Sequence, residues 1–122
     1  KNTSAGRVHK WGMFGRGPMP QWSQGRVTLL GDAAHAMLPF LGQGVSMAIE
    51  DGIMLGRALA KFGTTPEALE RYEAARLPRA NEIVERSDAR ANTIFRPSDA
   101  EDTMSGGLPP DIFSYDAMNA PL

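Results

Sequence analysis

The 122-residue sequence contains no cysteine and no long apolar run. Without cysteine it cannot hold a disulfide framework, a thiolate metal site or a redox thiol, and this composition fits a cytoplasmic protein. No stretch reaches the roughly 18 uninterrupted apolar residues that a membrane-spanning helix needs. The formal charge is only −1, from 13 basic and 14 acidic residues, so charge gives no case for nucleic acid or an anionic membrane. We therefore expect no metal, nucleic acid or membrane as a ligand.

Two segments have the character of strands. Residues 8–14 mix apolar and polar positions in a short candidate strand, and residues 26–30 form a β-branched and apolar run between glycines. The second run is typical of a strand buried on both faces in a parallel sheet. Such a strand needs neighbours that this chain does not supply. Since the sequence also begins at Lys1 without a methionine or an apolar leader, we interpret it as a fragment of a larger protein.

Helical periodicity begins near residue 45. Apolar residues recur at three- and four-residue steps from Val45 to Leu59, and Gly63 is a suitable C-terminal stop. A second helix is predicted to follow, capped by Thr64 or Thr65 and carrying Pro66 in its first turn.

The second helix is predicted to bend or break at Pro78, because proline lacks the backbone donor and clashes with the preceding turn. Residues 98–122 show no period and are expected to form an irregular or partly disordered tail, after a structured part over residues 1–97. Taken alone, the chain is predicted to be mostly α-helical with one or two short strands.

Gly31 and Asp32 follow the apolar run directly. In open α/β sheets, ligands bind beyond the carboxyl ends of strands, where a carboxylate can accept hydrogen bonds from a sugar or polyol chain. The alternative is that Asp32 only caps the turn that follows it. The residue chemistry leaves these two interpretations about equal.

A glycine-rich loop, Gly42-Gln43-Gly44, precedes the first helix. The unpaired amides at a helix start form a positive end that can hold a phosphate or a group that gains negative charge. This loop lacks the third glycine of the dinucleotide fingerprint G-x-G-x-x-G. As a motif by itself it more often marks an ordinary glycine-rich helix start.

The order of these motifs is more specific than each motif alone. Gly31-Asp32-Ala33-Ala34-His35, Pro39, Gly42-Gln43-Gly44 and Glu50-Asp51 follow one another along the chain. Pro18, Pro20, Trp22 and Gly25-Arg26-Val27 precede them, and Tyr72-Glu73, Arg76 and Pro78-Arg79-Ala80 come after. This arrangement, over about residues 8–95, resembles the second FAD-binding motif of class A flavoprotein aromatic hydroxylases. It is most similar to the salicylate-hydroxylase-like members, a group that includes the 6-hydroxynicotinate 3-monooxygenases.

The resemblance implies an α/β parent with a Rossmann-like FAD/NAD(P)-binding domain, and it assigns the cofactor contacts. Asp32, after Gly31, would hydrogen-bond the ribityl chain of FAD. The loop through Pro39 would run along the flavin ring. The helix start would face the flavin's pyrimidine edge, which is anionic when the flavin is reduced. The cofactor-binding residues implied are Gly31, Asp32, Pro39, Gly42, Gln43, Gly44, Val45 and Ser46.

Substrate and catalytic residues are less specified. Pro39 and Phe40 are the candidates for lining an aromatic substrate pocket, although an aromatic residue such as Phe40 is more often a packing residue. His35 is a weak candidate for a proton relay, since a histidine in such a turn more often satisfies local backbone groups. Adjacent residues point in different directions on a helix, so we do not expect Glu50 and Asp51 to form an acid–base pair. Instead, one of them should pair with an arginine of the next helix, such as Arg76 or Arg79.

The family's N-terminal G-x-G-x-x-G unit and mid-chain Asp-Gly motif are both absent from this sequence. The resemblance therefore implies the C-terminal part of an FAD-dependent, NAD(P)H-using monooxygenase. Through a flavin C4a-hydroperoxide, the complete enzyme would hydroxylate an aromatic acid-type substrate with O2. The alternative is an inactive fragment or a helical interaction module that keeps the flavin motif without binding FAD alone. Either way, an isolated chain would expose apolar surface through which it could self-associate.

Overall fold

The structure, a computed structural model, describes residue 9, residues 11–95 and residues 110–122. Its regular elements are two short strands, β1 (Ser23–Gln24) and β2 (Val27–Thr28), and three helices, α1 (Asp32–His35), α2 (Gly44–Phe62) and α3 (Pro66–Phe95). Short 3₁₀ turns occupy Pro39–Leu41 and Pro110–Ile112. The described part of the chain is therefore mostly helical with one two-stranded sheet, as predicted.

Helices α2 and α3 pack against each other and form the framework of the molecule. The connection between them follows the predicted signals. Gly63 has a φ of 73° and its amide donates to the Leu59 carbonyl, which closes α2. The Thr65 hydroxyl accepts from the Ala68 amide at 3.3 Å, and Pro66 is the first residue of α3.

Helix α3 runs without interruption through Pro78. The predicted alternative of a break there is therefore wrong, whereas the bend stays a prediction. The helix lies along α2 on both sides of the proline, with Tyr72 and Ala80 both fully buried. Packing on both sides holds the helix together where the backbone has lost one donor.

The strand predictions are only partly right. β1 and β2 form an antiparallel hairpin in which Ser23 pairs with Thr28 and Gln24 with Val27, around a turn where Gly25 has a φ of 59°. Val27 is 66% exposed, so the strand in residues 26–30 is not buried on both faces in this chain. Residues 11–14 adopt no strand, and the rest of the first candidate strand, apart from residue 9, lies outside the described residues.

Helix α3 also holds the segment that leads to α2. The Glu73 carboxylate accepts from the Trp22 and Ser23 amides, and the Tyr72 hydroxyl donates to the Leu29 carbonyl at 3.1 Å. Farther along, the Ser87 hydroxyl donates to the Leu38 carbonyl. These contacts fix the chain on either side of the Gly31–Asp32 turn.

The described part of the tail, residues 110–122, is irregular apart from its 3₁₀ turn, and a few of its residues contact the helices. Ile112 and Ala117 are buried, and Arg57 of α2 donates to the Ala117 carbonyl at 2.6 Å. The Tyr115 ring lies under two guanidinium groups of α3, 4.3 Å from that of Arg79 and 5.1 Å from that of Arg76. The segment therefore lies against α2 and α3 at these points.

Among the helices of the described ranges, none is long and apolar enough to cross a membrane.

Candidate functional site

The Gly31–Asp32 turn lies where the hairpin segment meets α2. Gly31 has φ 58° and ψ −141°, a conformation open in practice only to glycine. Space is not what demands the glycine, since a methyl group there would lie 3.5 Å from the Ala48 Cβ, an ordinary contact. The same distance shows that the turn packs against α2 one helical turn after its start at Gly44.

Asp32 is the first residue of α1 and is exposed. The cap position of α1 is Gly31, which has no side chain, and no ion pair or hydrogen bond joins the Asp32 carboxylate to any other residue that the structure describes. The turn-capping interpretation has no support in this geometry. The carboxylate is left facing solvent, available to a ligand.

The loop before α2 brings the other predicted cofactor residues close to this turn. Pro39 begins a 3₁₀ turn that ends at Gly42, whose φ is 65° and whose amide donates to the Pro39 carbonyl. No side chain caps α2, and no acidic residue lies in its first turn. The first amides of α2, at Gly44, Val45 and Ser46, are therefore the unpaired donors of a positive helix end.

Two of the predicted site residues, Gln43 and Phe40, have side chains that contact other residues of the chain. Gln43 is 6% exposed and its side chain turns back to the Leu41 carbonyl, so it leaves no free amide group at the surface. The Phe40 ring packs edge-on against Phe95 at 5.4 Å, which agrees with the packing interpretation. Pro39 is exposed beside it.

A buried carboxylate lies behind the turn. Asp51, on α2, is fully buried and accepts three hydrogen bonds from two segments, the α1 turn and α3. Its Oδ2 accepts from the Gly31 amide at 2.9 Å and from His35 Nε2 at 2.6 Å, and its Oδ1 accepts from Arg76 Nε at 2.9 Å. Burial alone would raise the pKa of Asp51, but the hydrogen bonds from His35, Gly31 and Arg76 outweigh it and lower the pKa. Asp51 is therefore ionised at neutral pH.

Glu50, the residue before Asp51, also forms an ion pair with Arg76. Glu50 accepts from Arg79 through both oxygens, at 2.9 and 3.0 Å, and its Oε2 lies 2.7 Å from Arg76 Nη1. The predicted pairing with an arginine of the next helix is confirmed, and it involves both carboxylates rather than one. The Arg76 guanidinium is wide enough to reach two residues that leave the helix in different directions.

His35 is 2% exposed and packs 5.6 Å from the Trp22 ring. An ionised carboxylate can only accept, so His35 Nε2 carries the proton and donates to Asp51. Its Nδ1 has no hydrogen-bond partner within the described ranges. His35 thus binds a side chain rather than backbone groups, and a proton-relay role stays a prediction.

The bond between Asp51 and the Gly31 turn was not predicted from the sequence, although the sequence carries a signal for it. The buried residues of α2 are Met47, Asp51, Met54 and Ala58. Asp51 thus lies in step with the apolar stripe, as Arg76 does between buried Tyr72 and Ala80 on α3. A charged residue at a core position of each of two packed helices indicates a buried ion pair.

Comparison with known proteins identifies the family. Residues 3–87 match the FAD binding domain, so the chain belongs to that family of flavoproteins. It is 44% identical over 117 residues to 6-hydroxynicotinate 3-monooxygenase of Pseudomonas fluorescens, covering 94% of this chain and 28% of that one. It is 36% identical over 111 residues to 3-hydroxybenzoate 6-hydroxylase 1 of Aquipseudomonas alcaligenes, covering 87% of this chain and 28% of that one. The predicted resemblance to aromatic hydroxylases is confirmed.

Solved structures agree. Klebsiella pneumoniae HpxO complexed with FAD and uric acid superimposes with a TM-score of 0.66 at 33% identity, covering 70% of this chain and 22% of that one. CtdE in complex with FAD and a substrate gives a TM-score of 0.71 at 30% identity, covering 81% of this chain and 26% of that one. These neighbours are consistent with an α/β parent. The chain spans 28% of the length of each curated relative named above.

Proposed function

We propose that this chain is the part of an FAD-dependent, NAD(P)H-using aromatic monooxygenase that holds the ribityl chain and the pyrimidine edge of the flavin. One observation carries the proposal. The exposed carboxylate of Asp32 makes no bond to the described residues, and the turn that bears it packs against α2 one turn from its uncapped start. An acceptor for hydroxyl groups and a cluster of backbone donors thus lie on neighbouring elements, as a ribityl chain joined to a flavin ring requires.

Each part of the site has a separate task. Asp32 accepts hydrogen bonds from ribityl hydroxyls. Gly31 supplies the positive φ that the turn needs, and exposed Gly42, with no atom within 4 Å of an added Cβ, lets the ligand approach the backbone. The amides of Gly44, Val45 and Ser46 face the pyrimidine edge and stabilise negative charge there. The bound flavin would supply the redox chemistry, with NAD(P)H as reductant and O2 as co-substrate.

The substrate in this proposal is a small aromatic acid. It is supported by the names of the relatives, which act on 6-hydroxynicotinate and 3-hydroxybenzoate. Pro39, exposed beside the helix start, would line the substrate side of the ring, with Phe40 behind it. A cytoplasmic location belongs to the same proposal, because the chain has no cysteine and the enzyme would draw on NAD(P)H.

The test is the affinity of the complete protein for FAD after Asp32→Ala. A hydrogen bond to a charged group contributes about 1.5–3 kcal/mol, so we expect FAD to bind roughly ten- to a hundredfold more weakly. Glu70→Ala is the matched control, because Glu70 is an exposed carboxylate on α3, away from the turn. Fluorescence titration of the apoprotein with FAD gives both values. Equal affinities for the two variants would remove Asp32 from the flavin site.

The other candidate is a helical module that keeps the motif without binding FAD. Exposed Val45 and Ile49, at 74% and 59%, would then serve to contact a protein. An absorption spectrum separates the two cases. Visible flavin bands in the purified complete protein support the proposed function, and their absence after addition of FAD supports the module.

A further inference from the structure

We propose that Asp51 is the positioning residue of the flavin-binding turn: by binding both ends of α1 at once, it aims the Asp32 carboxylate at the ribityl chain. This inference rests on the proposed function, because it assigns the part of the chain that prepares the Asp32 contact.

The geometry of the bonds supports this role. Helix α1 has only four residues, and an isolated turn of that length is not stable in water. The residue before it, Gly31, and its last residue, His35, both donate to the same oxygen of Asp51, at 2.9 and 2.6 Å. Asp32 lies between these two attachment points, on the exposed side. The direction of its side chain therefore depends on a single buried oxygen.

The backbone conformation makes the dependence stronger. Gly31 has a φ of 58° and a ψ of −141°, and glycine can adopt this conformation and several others with similar ease, so a contact is needed to select it. The bond from its amide to Asp51 is such a contact, and it acts at the residue directly before Asp32. The Gly31 carbonyl accepts from the Ala34 and His35 amides at 2.9 Å, so the turn is held together internally. Without the bond to Asp51, this turn would lose its attachment to α2 at the Gly31 end and could tilt as a unit, which would move Asp32 from its present direction.

The second oxygen of Asp51 fixes the carboxylate itself. Arg76 Nε donates to Oδ1 at 2.9 Å, and the guanidinium is fully buried between Asp51 and Glu50. Tyr115 of the C-terminal segment lies over that guanidinium. The turn is thus anchored through Asp51 to α3, which is the longest element that the structure describes.

A general loss of stability could also weaken FAD binding, so the test must separate positioning from folding. A double-mutant cycle in the complete protein does so, with the FAD dissociation constant as readout. The four proteins are the parent, Asp51→Asn, Asp32→Ala and the double variant. The introduced asparagine is neutral and has one acceptor oxygen, so it cannot accept from Arg76 and from both donors of α1 as the two carboxylate oxygens do. We expect Asp51→Asn to weaken FAD binding about tenfold or more in the parent and about threefold or less in the Asp32→Ala background.

Two further variants keep the test decisive if Asp51→Asn does not fold. His35→Gln keeps an N–H donor near the position of Nε2, whereas His35→Ala removes it. We expect the glutamine variant to retain most of the FAD affinity that the alanine variant loses. Val84→Ala truncates a fully buried side chain about two helical turns beyond Arg76 along α3 and has no hydrogen bond to lose, so it controls for stability alone. It should leave FAD affinity unchanged at temperatures where the protein stays folded.

The outcomes are distinct. If Asp32→Ala leaves FAD affinity unchanged, the proposed function of this site fails. If Asp32→Ala weakens binding but the effect of Asp51→Asn is the same in both backgrounds, the site stands and the positioning role of Asp51 is overturned. Equal losses for His35→Gln, His35→Ala and Val84→Ala would overturn it in the same way.

Discussion

Helix α2 contains two regions of opposite character. Its first turn, with Val45 and Ser46, is exposed and uncharged, and no side chain caps it. Its middle carries Glu50 and Asp51, which are held by two arginines of α3. The difference separates two tasks. The charged middle joins α2 to α3 and to the Gly31 turn, while the uncharged start carries uncapped backbone amides, which in the proposed function would face the flavin.

The largest effect should come from breaking the charged middle. Arg76→Ala would leave Asp51 as a buried charge without its counterion, which typically costs about 3–5 kcal/mol. We expect the free energy of unfolding to fall by about that amount in urea titrations. Arg71→Ala is the control on the same helix, since its ion pair with Glu67 is more than half exposed and should contribute less than about 1 kcal/mol. Similar losses for the two variants would show that the buried network is not what stabilises the helix pair.

Low pH should lower the stability that the buried Asp51 carboxylate contributes. The pKa of Asp51 is lower in the folded chain than its ordinary value of 3.8, so the unfolded chain takes up the proton first as the pH falls. The stability that Asp51 contributes is therefore complete above about pH 4 and is lost progressively below it. Urea titrations between pH 7 and pH 3 should show this decline, and Asp51→Asn should flatten it. Asp111→Asn, which alters an exposed ion pair with Arg86, should leave the slope close to that of the parent.

The exposed face at the start of α2 should affect self-association of the chain rather than its free energy of unfolding. Ile49 and Val45 lie four residues apart on one face of α2, and both are exposed. Ile49→Glu should weaken self-association of the 122-residue chain about tenfold in sedimentation velocity, because a charge replaces an apolar contact. Ala60→Glu introduces the same charge at an exposed position near the other end of the helix. If both variants associate as the parent does, this face of α2 is not a contact surface.

The smallest effect is expected for Val45→Asp, which should stabilise the isolated chain but make FAD harder to reduce in the complete flavoprotein. Val45→Asp places a negative charge in the first turn of α2, which should stabilise the chain by about 0.3–1 kcal/mol. In the complete flavoprotein the same charge should lower the midpoint potential of FAD, because it lies beside the reduced, anionic ring. Ser46→Ala should shift the potential only slightly. An unchanged potential in a Val45→Asp protein that still binds FAD would place the helix start away from the flavin.

Local signals were sufficient for several elements. Gly63, Thr65 and Pro66 mark the α2–α3 connection, because the stop, the cap and the first helical residue depend only on nearby backbone. The exposure of Val27 was not predictable in the same way. A short apolar run indicates a buried strand only if neighbouring strands are present to cover it.

The sequence by itself determined the family, the two long helices and the order of motifs along the flavin-binding loop, since each of these depends on residue type and spacing. Only the tertiary structure decided that Asp51 binds Gly31, His35 and Arg76. These partners lie 16 to 25 residues away along the chain. No local pattern encodes which buried donors meet a buried carboxylate, because that depends on how α1, α2 and α3 pack and on the free-energy cost of leaving the charge unpaired.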